Sequence, residues 1–127
     1  MLEPFDLSGT TMLNSPNTQY SFTANLDQPL NGRLDLIGSA LVSHTSQVIF
    51  AQSGLQGVIP AAIGPSYWLA NLRAGVKTPD DRIEVVVYAN NIGNSVYYTY
   101  GSSAASSGTI LNWGNPRIVG GEVTLRF

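Results

Sequence analysis

"TQYSFTANLD", Thr18 to Asp27, sets Tyr20, Phe22, Ala24 and Leu26 on one side and Gln19, Ser21, Thr23 and Asn25 on the other. Successive side chains of an extended chain point to opposite faces, so an unbroken period of two describes a strand with one apolar and one polar face. "QPLNG", Gln28 to Gly32, carries Pro and Asn-Gly and ends that strand in a short turn.

The same pattern recurs along the chain. In Arg33 to Thr45, Leu34, Leu36, Gly38, Ala40 and Val42 share a face; Arg33, Asp35, Ser39 and Ser43 share the other, with Ile37 and Leu41 as exceptions. Tyr67 to Val76 aligns Trp68, Ala70, Leu72, Ala74 and Val76 against Asn71, Arg73 and Gly75. "KTPDD", Lys77 to Asp81, is a tight polar turn. Arg82 to Asn91 then aligns Ile83, Val85, Val87 and Ala89 against Glu84, Tyr88 and Asn90. In Arg117 to Phe127, Val119, Gly121, Val123, Leu125 and Phe127 oppose Gly120, Glu122, Thr124 and Arg126. Between these runs, Phe50 to Ser66 is broken by glycines and prolines, too long and irregular for a hairpin turn. "GSSAASSG", Gly101 to Gly108, has the composition of a flexible loop. Helical periodicity is absent. The expectation is an all-β, antiparallel up-and-down meander of about five strands. Its connections alternate short and long, which sends the short turns to one end and the long loops to the other.

Composition narrows the setting. The 127 residues allow one domain. Charged residues make up 11% of the chain, against about 25% in an average soluble domain. The formal net charge is −2 with basic residues scattered singly, which argues against a nucleic-acid partner. There is no cysteine, so no disulfide or thiolate metal site can form. The opening "MLEPFDLSG" lacks the basic and apolar regions of a secretory signal, and no apolar run has the length of a membrane-spanning helix.

Alternation alone does not say what meets the apolar face. In a sandwich it packs on a second sheet; in a membrane barrel it meets lipid while the polar face lines the lumen. Three features favour the barrel. The apolar stripes hold no charge, Asp35, Arg73 and Glu84 fall mid-strand on the polar faces, and Tyr67, Trp68, Tyr97, Tyr98, Tyr100, Trp113 and Phe127 gather near strand ends. Aromatic rings prefer the headgroup level, where one edge is wet and the body is apolar.

Three stretches then carry a resemblance. "DLSGTTMLNSPNTQYSFTANLDQPL" has a Gly, an Asn-Ser-Pro and a following strand. "YWLANLRAGVKTPDDRIEVVVYANNIGNSVYY" resembles a penultimate hairpin, with Asn71 and Arg73 in one strand and Asn90-Asn91-Ile92 where Arg-Asn-Leu is common. "WGNPRIVGGEVTLRF" resembles a closing strand in which Pro-Arg precedes the last alternation and an aromatic follows in register. In this order they resemble the C-terminal end of a TonB-dependent outer-membrane receptor, over nearly the whole chain.

The resemblance implies a place in the outer membrane of a Gram-negative bacterium and a transmembrane β-barrel of about 22 strands around a plug. It implies uptake of a scarce ligand, such as an iron-siderophore, cobalamin or an oligosaccharide, powered through the TonB energy-coupling complex. The partners would be membrane lipid, the rest of the barrel, the plug and the outer-membrane assembly machinery. Residues 1–127 contain neither plug nor energy-coupling motif, and five strands cannot close even the smallest barrel of about eight, so the chain is expected to be a C-terminal fragment of that barrel. Asn71, Arg73, Glu84, Glu122 and Arg126 would face the lumen, where Arg73, Glu84, Glu122 and Arg126 could pair across the ladder. Phe127 would anchor at the interface and form part of the insertion address.

No catalytic residue, cofactor or metal is expected. His44, the single histidine, reads as a lumen or rim residue, since it has no second His or Cys for a metal site. A hydrolase using Ser43, His44 and Asp35 ranks last. A small secreted β-sandwich that binds carbohydrate or a protein is the main alternative to the receptor.

Overall fold

The computed structural model describes residues 8–9, 12–51, 62–104 and 106–127. The start of the first resembling stretch (6–7 and 10–11), the middle of the irregular run (52–61) and Ala105 lie outside the described residues. Among the described residues nine strands form in chain order: β1 Gln19–Pro29, β2 Asp35–Thr45, β3 Val48–Ala51, β4 Ala62–Gly64, β5 Tyr67–Lys77, β6 Ile83–Asn90, β7 Tyr98–Ala104, β8 Gly108–Trp113 and β9 Ile118–Leu125. Among the described residues there is no helix.

Five of the nine make one antiparallel sheet in the order β1-β2-β5-β6-β9. These are the five expected strands, with ends moved by a few residues. The expected turn at Gln28 shifts along the chain, because β1 continues to Pro29, opposite Asp35. Proline is tolerated there because β1 is an edge strand, whose outer N–H positions need no ladder partner. The turn closes with Leu30 N–H donating to Leu34 O at 2.9 Å and with Gly32 at φ 72°, a left-handed conformation that favours glycine.

The second short turn, between β5 and β6, is held by side chains. Thr78 Oγ1 donates to Asp80 Oδ1, and the Ile83 and Arg82 amides donate to Thr78 Oγ1 and Asp80 Oδ1. The Thr78 hydroxyl, and then the Arg82 amide and guanidinium, hold the Asp80 carboxyl below its usual value of 3.8. A carboxyl lowered on folding stabilises above its ordinary pKa and loses that contribution as the pH falls through the lowered one. An NMR titration of the Arg82 amide is therefore expected to show a transition below pH 3.8 that disappears in Asp80→Asn.

Both long connections carry structure that composition concealed. The run from Phe50 to Ser66 is not irregular throughout: its two ends pair as the ribbon β3-β4. "GSSAASSG" is not a flexible loop. Most of it forms the end of β7, the turn and the start of β8, and Gly108 turns the chain at φ 75°. The two ribbons touch one another. Phe50 joins them. A Cβ on Gly64 would come within 2.8 Å of the Phe50 ring, and one on Gly101 within 2.9 Å of Phe50 and 3.0 Å of Leu111. Glycine lets β4 and β7 close onto the same ring, and Val48, Ala62, Gly64 and Gly101 are buried within the ribbons.

Candidate functional site

The register places the side chains of the large sheet into two unlike layers. On one face lie the rows Phe22–Val42–Ala70, Ala24–Ala40–Leu72–Ala89–Val119, Leu26–Gly38–Ala74–Val87–Gly121 and Leu36–Val76–Val85–Val123. No charged residue falls in any of them. Among the described residues no second sheet covers this face: Phe22 is 70% exposed, Val87 62% and Val119 71%. Five strands spaced about 4.8 Å apart and about 35 Å long present on the order of 700 Å². Typical soluble monomers expose apolar patches of at most about 300–600 Å². At about 25 cal/mol per Å², leaving that face wet forgoes more than about 15 kcal/mol, as much as the whole stability of an ordinary domain.

The rim of this face at the ribbon end is aromatic. Tyr20, His44 and Trp68 stand in one row across β1, β2 and β5. His44 stacks on Tyr20 with centroids 5.1 Å apart and tilts against Trp68 at 4.6 Å. Of the two expected settings for His44, lumen or rim, the structure gives the rim, on the apolar side, because the alternation of β2 runs past Val42 without a break. Its Nδ1 is buried and has no hydrogen-bond partner among the described residues. Ser43 points to the opposite face, as neighbours in a strand must, and Asp35 lies nine residues along, roughly 30 Å away. The structure does not bring Ser43, His44 and Asp35 together.

The opposite face is polar and joined by charge. Arg73 on β5 lies between Glu84 on β6 (3.5 Å) and Glu122 on β9 (3.6 Å), and Arg126 reaches the second oxygen of Glu84 at 3.8 Å. Arg126 also donates to Asp81 O at 2.9 Å. The expected pairing of Arg73, Glu84, Glu122 and Arg126 across the ladder is thus present. Each such pair, solvated on one side, contributes about 0–1 kcal/mol. Lys77 meets Asp27 (3.7 Å) and Asp81 (3.3 Å) beside this network, at the short-turn end. Arg73 and Glu122, with Ser39, Asn71, Tyr88 and Asn90, border an open concavity of about 490 Å³ on this face.

Glycine shapes the polar layer in two places. Tyr88 lies over Gly120, whose Cβ would meet the phenol ring at 2.6 Å, so the ring covers backbone that the edge strand β9 would otherwise expose. Val86, 1% exposed, sits over Gly75.

Asn71 has a role that motif reading did not reveal. Its ladder partners on β6 end at Ala89, opposite Leu72. There the chain turns with Asn91 at φ 51°, and the Asn71 side chain takes over, its Oδ1 accepting from Asn91 N–H at 2.9 Å. Asn91 is 5% exposed and satisfied on every side. Its Nδ2 donates to Ser95 O (2.9 Å) and Asn115 O (3.0 Å), and its Oδ1 accepts from Ser95 N–H (2.8 Å). Left-handed backbone suits asparagine better than other non-glycine residues. Asn91→Ala removes three hydrogen bonds and strains the turn; it is expected to cost about 2–4 kcal/mol, read as a lowered unfolding midpoint. Asn71→Ala is expected to cost about 1–2 kcal/mol, since one amide then loses its partner.

The aromatic residues divide unevenly between the two ends. Tyr67 stacks on Tyr97 at 4.7 Å, and Tyr98 tilts against Trp113 at 4.9 Å across β7-β8. With Tyr20, Trp68 and Tyr100, all of these lie at the ribbon end. Phe127, two residues beyond β9 and exposed, is the one from the expected set at the short-turn end. Among the described residues no group of three or more His, Cys, Asp or Glu is placed to hold a metal ion, and no helix is long and apolar enough to cross a membrane. Comparison of the chain with protein families, curated proteins and solved structures finds no match.

Proposed function

We propose that the five-stranded sheet is a segment of a transmembrane β-barrel, the C-terminal strands of a TonB-dependent outer-membrane receptor that takes up a scarce ligand. The observation that carries this reading is the pair of faces: one uncharged, apolar and uncovered, the other joined by Arg73, Glu84, Glu122 and Arg126. Lipid is the solvent that the first face fits, and a watery lumen the second. Three strands have eleven residues, about 36 Å of extended chain, which at a tilt near 45° spans the roughly 25 Å apolar band of an outer-membrane barrel. Short turns at one end and ribbons at the other match periplasmic turns and extracellular loops. The three resembling stretches give the receptor assignment within that class.

In this reading the ribbons joined by Phe50 belong to the extracellular surface that captures ligand. The concavity beside Arg73, Asn71 and Glu122 lies on the wall of the passage. The plug gates that passage, and the TonB complex drives it. Phe127 sits at the periplasmic interface, as part of the address read during assembly. The activity is binding and gating, with no covalent step.

The test is uptake. Cells that carry the gene and cells that lack it are given labelled iron-siderophore, cobalamin or oligosaccharide, with and without a protonophore. The expected result is gene-dependent uptake of one of them that stops when the proton gradient collapses. Equal uptake of all three in both strains overturns the receptor reading. A sandwich would instead require a second sheet on the apolar face, and the described residues place none there.

A further inference from the structure

We infer that the polar face binds a neutral oligosaccharide at the concavity beside Arg73; this deepens the receptor reading above and rests on it. Ser39, Arg73 and Tyr88 stand in one row across β2, β5 and β6. Asn71 and Asn90 lie one step nearer the ribbon end on the same face, and Glu122 closes the border from β9. At about 490 Å³ the concavity falls within the roughly 300–1,000 Å³ of small-molecule sites. A second concavity of about 260 Å³ continues from Asn71 and Asn90 toward the ribbon end, where Tyr97 and Asn115 border it.

Charge selects the ligand. Arg73 is the one cation among the described residues that border the larger concavity. It is held between Glu84 at 3.5 Å and Glu122 at 3.6 Å. With Arg126 on the second oxygen of Glu84, two guanidinium groups meet two carboxylates, and the cluster has no net charge. An anionic ligand finds no unpaired guanidinium here, and a cationic one no unpaired carboxylate. No charged side chain among the described residues borders the second concavity. Electrostatic complementarity therefore favours a ligand without charge.

What remains open is hydrogen bonding of the kind sugars use. Asn71 Oδ1 accepts from Asn91 N–H, which fixes the orientation of that amide. Its Nδ2, the side-chain amides of Asn90 and Asn115 and the Ser39 hydroxyl have no protein partner among the described residues. The Tyr97 hydroxyl accepts from Asn115 N–H at 3.3 Å and keeps its own proton for an acceptor. Amides and hydroxyls both donate and accept, as the neighbouring hydroxyls of a sugar do. Tyr88 adds a flat apolar surface: its ring covers Gly120 on one side and borders the larger concavity. The C–H face of a pyranose ring packs on such a surface, where the ring quadrupole is negative. Tyr97 does not serve this purpose, because its ring already lies between Tyr67 and Gly114. Of the three ligand classes, the oligosaccharide is the one whose chemistry this wall matches throughout.

Outer-membrane vesicles from cells that carry the gene and cells that lack it test the inference by equilibrium dialysis. The probes are labelled maltohexaose, cellohexaose and xylohexaose, with hexagalacturonate as the anionic counterpart. The expected result is gene-dependent, saturable binding of a neutral oligosaccharide and none of hexagalacturonate. Asn90→Ala breaks no hydrogen bond within the described residues; it is expected to weaken that binding about five-fold and to leave the unfolding midpoint in urea unchanged. Glu122→Gln leaves Arg73 and Arg126 with Glu84 alone. It is expected to admit hexagalacturonate, with an affinity that falls as salt is added. Absence of gene-dependent binding of all three neutral probes, or equal binding of hexagalacturonate by the parent, overturns the inference, as does undiminished affinity in Asn90→Ala. Gene-dependent uptake of iron-siderophore or cobalamin without sugar binding also overturns it and leaves the receptor reading standing. Chain found wholly outside the membrane on fractionation sinks the receptor reading itself.

Discussion

Val87→Arg is expected to lower the stability of the membrane-inserted sheet by about 2–4 kcal/mol, the cost of a cation near the bilayer midplane on a barrel's lipid face. Val87 is suited to the experiment because it is 62% exposed and sits in the middle row, between Ala74 and Gly121. Steric crowding is therefore not the source of the effect. Arginine at an exposed position facing water changes stability by no more than about 0.5 kcal/mol, so the two solvents give results that differ by about ten-fold to a thousand-fold in the folding equilibrium. Thr23→Arg, on the polar face of β1, is the control and is expected to be nearly neutral. Urea titration in lipid vesicles reads both. A Val87→Arg variant as stable as the parent removes lipid from the account.

Gly75→Val is expected to be the most damaging single change on the polar side, costing about 3 kcal/mol or more. A Cβ there would collide with the Val85 carbonyl oxygen and lie 2.7 Å from Val86 Cγ2 and 2.9 Å from Val86 Cα. Two of these are backbone atoms of the neighbouring strand, so no rotamer change relieves the contact and β5 must move away from β6. The displacement would separate Arg73 from Glu84, which bridge these two strands at 3.5 Å. Val86→Ala alongside is informative: if loss of the Val86 methyls restores part of the Gly75→Val deficit, the collision is shared between side chain and backbone as the distances indicate. An unfolding midpoint unchanged by Gly75→Val contradicts the packing described between β5 and β6.

The large sheet was legible because its signal is local and strong. Alternation over the ten residues Thr18–Asp27 names both the strand and its faces, and the apolar partners then fall into register. The turns at Leu30–Leu34 and Thr78–Arg82 were visible through Pro, Asn-Gly and Asp-Asp. The ribbons were not, because they depend on tertiary contacts. Gly101 has no strand preference of its own; in β7 it lies against Phe50 and Leu111 and pairs with β8. For His44 the sequence left lumen and rim open; Leu36, Gly38, Ala40 and Val42 put the even-numbered residues of β2 on the apolar side, and its ring joins the rim there.

Among the site residues, the charges of Arg73, Glu84, Glu122 and Arg126 were readable from their shared face, and their pairing followed from neighbouring strands. The work of Asn71 was hidden: nothing in "NLRAG" shows that its side chain closes the ladder for a turn twenty residues later. The cluster "ANNIGN" carried the one usable signal, since consecutive asparagines beside a glycine mark left-handed backbone, and Asn91 and Asn94 both adopt it.

The central claim is that the odd-numbered side of β6 touches lipid and the even-numbered side touches water. The chain has no native cysteine, so single cysteines at each position from Ile83 to Asn90 can carry a nitroxide label in the membrane-embedded protein. The expected result is a period of two: labels at 83, 85, 87 and 89 relax with oxygen, which dissolves in lipid, and those at 84, 88 and 90 respond more to a water-soluble nickel chelate, with position 86, buried over Gly75, left out of the comparison. Odd positions that respond to neither reagent, as inside a protein core, or that respond to the chelate, would contradict the account.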